Sequence, residues 1–261
     1  MSLPLSFQRE GAGAPLLILH GLFGSARNWR SMARRLAPAY DVLTVDLRNH
    51  GDSPHADAMS YLAMAEDVAA LIETETSAPV TLLGHSMGGK VAMTLALRQP
   101  ALLERLVIVD IAPMAYTDRF GHLVAALRAL PLETLKRRGD ADALLAESVG
   151  DAALRAFLLH NLVDDGSGGW RWQCNLPAIA AALPAIVGNV DAAQSARFDG
   201  PCQLIRGGRS DSVPPEIEGE IRRRFPAAVI DTLASAGHWP HAEQPEAFHA
   251  TLSAFLDASV R

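Results

Sequence analysis

Residues 80–97 read VTLLGHSMGGKVAMTLAL: a short apolar run, a glycine-rich turn around one serine, and then a longer pattern typical of a helix. The turn is a Gly-x-Ser-x-Gly motif in which Gly84 and Gly88 flank Ser86. Glycines let a strand and a helix approach without Cβ collisions, and a sharp strand-to-helix turn leaves the serine hydroxyl exposed. The motif therefore predicts a nucleophilic Ser86 at the end of a buried strand.

Two other interpretations fit parts of this turn. The spacing of Gly84, Gly89 and Lys90 matches the start of a phosphate-binding P-loop, but Val91 stands where that motif needs Ser or Thr to bind Mg²⁺. The second alternative is a glycine-rich packing turn whose serine has no chemical role. The intact strand-turn-helix context favours the nucleophile over both.

Similar short apolar runs recur along the chain and alternate with longer helix-like stretches. This alternation predicts an α/β fold with a mostly parallel sheet, and the nearly continuous hydrophobicity of the runs predicts helices on both faces. The predicted strands lie at residues 16–20, 42–46, 80–83, 106–110, 202–205 and 229–233. Residues 11–15 are predicted to form the turn that ends an N-terminal hairpin.

The alternation stops between residues 110 and 201, where Ala- and Leu-rich helical patterns take over. This stretch is too apolar to be a linker. It predicts a helical cap, residues 113–199, inserted into a core formed by residues 1–112 and 200–261. We expect the cap to cover the C-terminal edge of the sheet.

The composition excludes several classes of function. The 261 residues include 23 Lys and Arg against 29 Asp and Glu, a net charge of −6, which argues against nucleic acid as a partner. Two cysteines are too few for a disulfide framework or a Cys-only zinc site, and we predict no metal and no cofactor. The chain shows no N-terminal leader and no run of about 20 apolar residues, so we expect a cytoplasmic protein without a membrane span. No pattern predicts its oligomeric state.

A serine nucleophile needs a histidine that takes its proton and a carboxylate that orients the histidine. His238 follows the last strand-like run in the segment Ala-Gly-His-Trp-Pro, which is where a hydrolase with the chain order Ser, acid, His carries its base. Two aspartates compete for the acid, because Asp110 ends one apolar run and Asp211 lies in the loop after the next. The spacing of His238 and His241 also fits two metal ligands, but no third ligand accompanies them.

Backbone N–H groups must stabilise the negative charge that develops on the substrate oxygen. The residue after the nucleophile, Met87, is one predicted donor. The early run at residues 16–20 leads into a second glycine-rich turn, His20-Gly-Leu-Phe-Gly24, whose Leu22 N–H is the other.

These segments together resemble the α/β-hydrolase superfamily, and the resemblance covers most of the chain except the predicted cap. The segments His20-Gly-Leu-Phe-Gly-Ser, Gly84-His-Ser-Met-Gly-Gly-Lys, Asp110-Ile-Ala-Pro and Ala236-Gly-His-Trp-Pro resemble more narrowly the YbfF-type bacterial esterases and their mitochondrial abhydrolase-domain relatives. The resemblance implies the α/β-hydrolase fold with an eight-stranded sheet. It also implies hydrolysis of carboxylic esters or acyl thioesters through an acyl-enzyme.

The resemblance bears on the acid and on the nucleophile. The Asp-Ile-Ala-Pro context of the narrower group favours Asp110, whereas the Gly-x-x-Asp pattern of the superfamily favours Asp211. Relatives that are haloalkane dehalogenases or epoxide hydrolases carry Asp at the position of Ser86, so the serine excludes those two activities.

Substrate specificity is expected to reside in the cap. Its apolar residues are predicted to line an acyl pocket, and its basic residues either meet an anionic head group, such as that of coenzyme A, or form a solvated helix face. The apolar set is Phe120, Leu123, Phe157, Leu158, Trp170 and Trp172, and the basic set is Arg119, Arg128, Lys136, Arg137 and Arg138. A ligand-binding receptor, or a lyase or C–C hydrolase with the same triad, are the alternative functions.

Overall fold

A computed structural model describes residues 2–258 and shows one large sheet with helices on both faces. Its seven strands are ordered β1-β3-β2-β4-β5-β8-β9, and all pairs are parallel except that of β1 with β3. The strands of this sheet are β1 Phe7–Gly11, β2 Ala14–Leu19, β3 Tyr40–Val45, β4 Val80–His85, β5 Leu103–Val109, β8 Cys202–Gly207 and β9 Ala228–Leu233. All six predicted strands are confirmed.

Two details of the predicted sheet are wrong. Within residues 2–258 the sheet has seven strands rather than eight, and the eighth was implied only by the family resemblance. The N-terminal hairpin is also absent from the described chain, since β3 lies between β1 and β2. The chain still reverses at Gly11 and Gly13, whose φ angles of 87° and 129° suit glycine.

The inner strands β2, β3, β4, β5 and β8 are largely buried on both faces, which explains their continuous hydrophobicity, whereas the edge strands β1 and β9 are partly exposed. Within β2, Leu17 and Leu19 pack into one core cluster, whereas Leu16 and Ile18 pack into the other. Helices α2, α3 and α8 cover the first face, and α1 and α10 cover the second. The core helices are α1 Arg30–Leu36, α2 Tyr61–Glu75, α3 Met87–Arg98, α8 Glu218–Arg224, α9 Pro240–Glu243 and α10 Pro245–Leu256.

The chain between β5 and β8 adds four helices and a two-stranded antiparallel hairpin that the helical pattern did not predict. The elements are α4 Gly121–Arg128, α5 Arg138–Leu145, α6 Ala152–Leu159, β6 Leu162–Asp164, β7 Trp170–Trp172 and α7 Leu176–Val187. Our division of the chain into a core and a cap remains a prediction, and its residues 1 and 259–261 lie outside the described ones. None of the described helices is both long and apolar enough to cross a bilayer.

Two side chains of the predicted core, those of Lys90 and Tyr61, attach this segment at its two ends with three hydrogen bonds. Lys90 Nζ donates to Met114 O just after β5, at 2.8 Å, and to Gly188 O just after α7, at 2.5 Å. The hydroxyl of Tyr61 donates to Ile186 O at 2.5 Å. The segment therefore begins and ends at the same place, beside the first turn of α3.

Candidate active site

The turn between β4 and α3 holds Ser86 in a backbone conformation that side chains rarely adopt, with φ 52° and ψ −119°. Both flanking glycines are needed there. A Cβ on Gly84 would lie 2.2 Å from Gly88 O, and one on Gly88 would lie 2.5 Å from His20 O. The Gly-x-Ser-x-Gly spacing thus lets α3 start against the end of β2, which leaves the Ser86 side chain at the edge of the sheet.

Ser86, His238 and Asp110 form one hydrogen-bonded chain. His238 Nε2 lies 3.0 Å from Ser86 Oγ, and His238 Nδ1 lies 2.7 Å from Asp110 Oδ2. The Asp110 side chain is fully buried, whereas 29% of the His238 side chain is exposed. Because a carboxylate accepts, Nδ1 carries the proton and Nε2 accepts from the Ser86 hydroxyl. An alcohol in this arrangement can lose its proton to the imidazole as it attacks an acyl carbon.

The end of β5 positions Asp110 beside the nucleophile. The Ser86 N–H donates to Val109 O at 3.0 Å and the Asp110 N–H donates to Ile205 O at 2.9 Å, so the sheet ladder continues to both residues. Asp110 has a positive φ of 49°. Its carboxylate accepts the N–H of Gly207 at 2.8 Å and the hydroxyl of Ser210 at 2.5 Å. These bonds compensate for burying the charge.

Asp211, the other candidate acid, lines the cavity that contains Ser86 but forms no hydrogen bond with His238. Its carboxylate accepts two hydrogen bonds from the Arg119 guanidinium, at 2.6 and 2.8 Å, and 73% of its side chain is exposed. The bonds from Arg119 hold the pKa of Asp211 below its usual value. The structure therefore brings Asp110, and not Asp211, into hydrogen-bond contact with His238.

Side chains that the sequence analysis did not single out hold the imidazole. His85 Nε2 lies 2.7 Å from the backbone oxygen of His238, and Ser212 Oγ lies 3.2 Å from His238 Nδ1. Burial lowers the pKa of His85 well below its usual value, so it is neutral and donates from Nε2 to that oxygen. Ser212 is an ordinary polar residue of an irregular loop, so the sequence carries no local signal for its contact with His238.

Leu22 and Met87 both line the cavity that contains Ser86. Among residues 2–258, neither backbone N–H has an acceptor within the protein, as expected for groups that bind a developing oxyanion. The turn before Leu22 lies close to the nucleophile, because a Cβ on Gly21 would be 3.2 Å from Ser86 Cβ.

Phe23, which follows Leu22, is fixed at both of its backbone polar atoms. Its N–H donates to His50 Nε2 at 3.2 Å, and its oxygen accepts from Asn161 Nδ2 at 2.8 Å. Burial lowers the pKa of His50 to about 3, which keeps Nε2 free to accept. Since Phe23 has a φ of 61°, these bonds stabilise an unfavourable backbone conformation next to the Leu22 donor. Asn161 comes from the segment between β5 and β8, so that segment directly contacts the turn at residues 20–24, which we call the oxyanion loop after its predicted role.

The cavity above Ser86 has a volume of about 300 Å³ and is mostly apolar. Of the predicted lining, Phe120, Leu123 and Phe157 do line it, as does Arg119. Leu158 is instead fully buried, and both tryptophans lie in the hairpin strand β7. Further apolar walls come from Leu154 and Ile186.

Lys90 is the buried cation of this cavity. It is 1% exposed, and its Nζ lies 4.5 Å from the centre of the Tyr116 ring. Burial lowers its pKa to about 7. The P-loop interpretation gave this lysine a phosphate to bind, but the structure directs its ammonium to two backbone oxygens at the ends of the segment between β5 and β8.

Comparisons with known proteins identify similar chains. Residues 16–251 match the family model described as the alpha/beta hydrolase family. The sn-1-specific diacylglycerol lipase ABHD11 of Mus musculus is 42% identical over 265 residues, covering 97% of this chain and 85% of the relative. Esterase YbfF of Escherichia coli K12 is 34% identical over 253 residues, covering 96% of each chain. The solved structure of a marine microorganism esterase has a TM-score of 0.94 and 36% identity, covering 97% of this chain and all of its own.

Proposed function

Because this chain belongs to the alpha/beta hydrolase family, we propose that it is a serine hydrolase that cleaves carboxylic esters through an acyl-enzyme intermediate. The observation that carries the proposal is the chain of hydrogen bonds from Ser86 Oγ through His238 to the buried Asp110, at 3.0 and 2.7 Å. Ser86 is the nucleophile, His238 the general base and acid, and Asp110 the orienting carboxylate.

In the first half-reaction, Ser86 Oγ attacks the ester carbonyl carbon while its proton moves to His238 Nε2. The carbonyl oxygen becomes negative and accepts hydrogen bonds from the N–H groups of Leu22 and Met87. The bond to the alcohol oxygen then breaks, and His238 returns the proton to that oxygen, so the alcohol leaves and the acyl group remains on Ser86. Asp110 stabilises the imidazolium that forms between these two proton transfers.

In the second half-reaction, water takes the place of the alcohol. His238 Nε2 accepts a proton from the water as its oxygen attacks the acyl carbon, and the same two N–H groups stabilise the second oxyanion. The bond to Ser86 Oγ breaks, the proton returns to Oγ, and the carboxylic acid is released.

The cavity and the relatives favour an apolar acyl ester as substrate. Phe120, Leu123 and Phe157 provide an apolar wall for an acyl chain. The mouse relative is named for diacylglycerol and the E. coli relative for esters, and both names favour ester over thioester substrates. We propose that residues 113–199 form the cap that supplies this wall, on a core of residues 1–112 and 200–261.

The test is hydrolysis of 4-nitrophenyl esters of increasing acyl length, with coenzyme A thioesters of the same acids as a second series. Ser86→Ala is expected to lower kcat by about 10⁴-fold or more. Ser167→Ala, the same change in the exposed β6–β7 turn, is the matched control and should retain full activity. A fluorophosphonate should add to the intact protein once, and not to Ser86→Ala. Unchanged turnover in Ser86→Ala would refute the proposal, and a tightly bound small molecule without turnover would favour a receptor.

A further inference from the structure

A second cavity, of about 240 Å³, adjoins the one above Ser86. Phe23 and Asn28 line both cavities, so the two meet at the oxyanion loop. The polar residues that line the second cavity are Ser25, Arg27, Asn28, Arg138, His160, Asn161 and Gln173, and we call it the basic cavity. It lies where α5, the end of α6 and the residue after β7 face the oxyanion loop.

The two arginines of the basic cavity are not neutralised. Three other arginines of the same segment are paired with carboxylates: Arg119 with Asp211, Arg137 with Asp140 and Arg155 with Asp142, all at 3.0 Å or less. In contrast, Arg27 and Arg138 form no ion pair with any residue in the range 2–258, and no acidic residue lines the cavity. Arg128 and Arg171 also form no ion pair with any described residue, but neither of them lines the basic cavity. Two unpaired guanidiniums facing one cavity, in a chain with a net charge of −6, indicate a site for an anion.

The Arg138 side chain is already held in place. Its Nη2 donates to Leu162 O at 2.7 Å, and its guanidinium lies 5.7 Å from the centre of the Trp170 ring. A guanidinium has five N–H donors, so four remain. A fixed planar fork loses little entropy when it binds a carboxylate or a phosphate.

Among the described residues, one acidic side chain, that of Asp52, accepts a hydrogen bond from a side chain that lines the cavity. The amide of Gln173 donates to Asp52 Oδ1 at 2.7 Å. Asp52 is not among the residues that line the cavity. The carboxylate thus has a partner of its own, and the charge that faces the cavity is that of Arg27 and Arg138.

We propose that the basic cavity binds a phosphate or carboxylate group carried by the alcohol portion of the ester substrate. This inference rests on the proposed function. The apolar cavity accommodates the acyl chain and the basic cavity the charged end, while the ester carbonyl lies between them, beside the Leu22 N–H that precedes Phe23. The substrate class is therefore an acyl ester of an anionic alcohol.

The kinetic test compares two chromogenic esters with the same acyl chain, 4-nitrophenyl butyrate and 3-carboxy-4-nitrophenyl butyrate, of which the second has an anionic leaving group. The ratio of kcat/KM for the anionic ester to that for the neutral ester is the measurement. It is expected to fall about tenfold or more in the Arg27→Gln, Arg138→Gln double variant. The single variant Arg27→Gln, which leaves the Arg138 bond to Leu162 intact, should show part of this loss.

The matched control is Arg137→Gln, since Arg137 is paired with Asp140 and lines neither cavity. It should retain the wild-type ratio. A ratio in the double variant equal to that of the wild type would overturn the proposal.

Direct binding separates this proposal from the proposed function. Octyl phosphate and inorganic phosphate are titrated into wild type and into the double variant by calorimetry. Octyl phosphate should bind more tightly than inorganic phosphate and lose about tenfold in affinity in the double variant. Equal affinity for the two ligands would identify a site for free anions and overturn the substrate assignment. If neither ester is hydrolysed but octyl phosphate binding depends on the arginines, the cavity assignment is supported and the ester hydrolase proposal is wrong.

Discussion

Asp110→Asn is expected to remove almost all ester hydrolysis, because the surrounding hydrogen bonds fix the orientation of the new side-chain amide. In the wild-type protein, Asp110 Oδ1 accepts the N–H of Gly207 at 2.8 Å, and Oδ2 faces His238 Nδ1 at 2.7 Å. The N–H of Gly207 can only donate, so the amide oxygen must take the Oδ1 position. The amide NH₂ then faces Nδ1 of His238 and turns that nitrogen into an acceptor.

The consequence for the rate follows from the tautomer. When Nδ1 accepts, the proton of the neutral imidazole is on Nε2, and Nε2 cannot accept a proton from Ser86, whose Oγ is 3.0 Å away. The equivalent Asp-to-Asn change in the triad of a serine protease lowers kcat by about 10⁴-fold. We expect a loss of the same order here, which corresponds to about 5.5 kcal/mol of transition-state stabilisation.

The assay is kcat for 4-nitrophenyl butyrate at neutral pH, with thermal unfolding to show that each variant is folded. Asp211→Asn is the matched control: its side chain is 73% exposed and paired with Arg119, so its kcat should stay within about threefold of wild type. The reasoning is refuted if Asp110→Asn keeps more than about a tenth of wild-type kcat, or if Asp211→Asn loses as much activity as Asp110→Asn.

Two further predictions concern the segment between β5 and β8. Asn161→Ala removes the donor to Phe23 O and should lower kcat roughly tenfold with little change in KM, since the bond positions the oxyanion loop; a rise in KM alone would contradict this role. Burial lowers the pKa of Lys90 from 10.5 to about 7. Between these two pH values the unfolded chain therefore binds more protons than the native protein. The contribution of Lys90 to the free energy of unfolding then rises with pH. In urea unfolding, the stability of wild type relative to Lys90→Met should therefore increase from pH 7 to pH 10, and a constant difference would count against a lowered pKa.

Local pattern was sufficient for most of the sheet. Five of the six apolar runs became inner strands that are largely buried on both faces, and that requirement is visible in the runs themselves. The sixth run, at residues 229–233, became the partly exposed edge strand β9. Which strands pair with each other was harder to predict from the sequence. The turn at residues 11–15 has the residues of a hairpin, but β3 takes the position between β1 and β2, and that competition depends on residues about 30 positions away.

The choice of acid shows the same limit within the site. Asp110 and Asp211 both follow strand ends, so position alone could not separate them. Contacts made at long range separate them: Gly207 and Ser210 bond the Asp110 carboxylate that faces His238, whereas Arg119 bonds the carboxylate of Asp211. The roles of His50 and Asn161 at Phe23 were invisible for the same reason, since each is an ordinary polar residue in its own segment.

The amino-acid sequence by itself determined the strand-turn-helix around Ser86. Ser86 has a φ near +50°, and Gly84 and Gly88 on either side of it leave room for the close approach of α3 to β2. This glycine spacing is a local feature of the sequence. Tertiary structure alone decided which carboxylate meets the imidazole, and which arginines remain unpaired beside the oxyanion loop. Side-chain direction and ionic partners are set by elements that meet only after folding, and no local pattern encodes them.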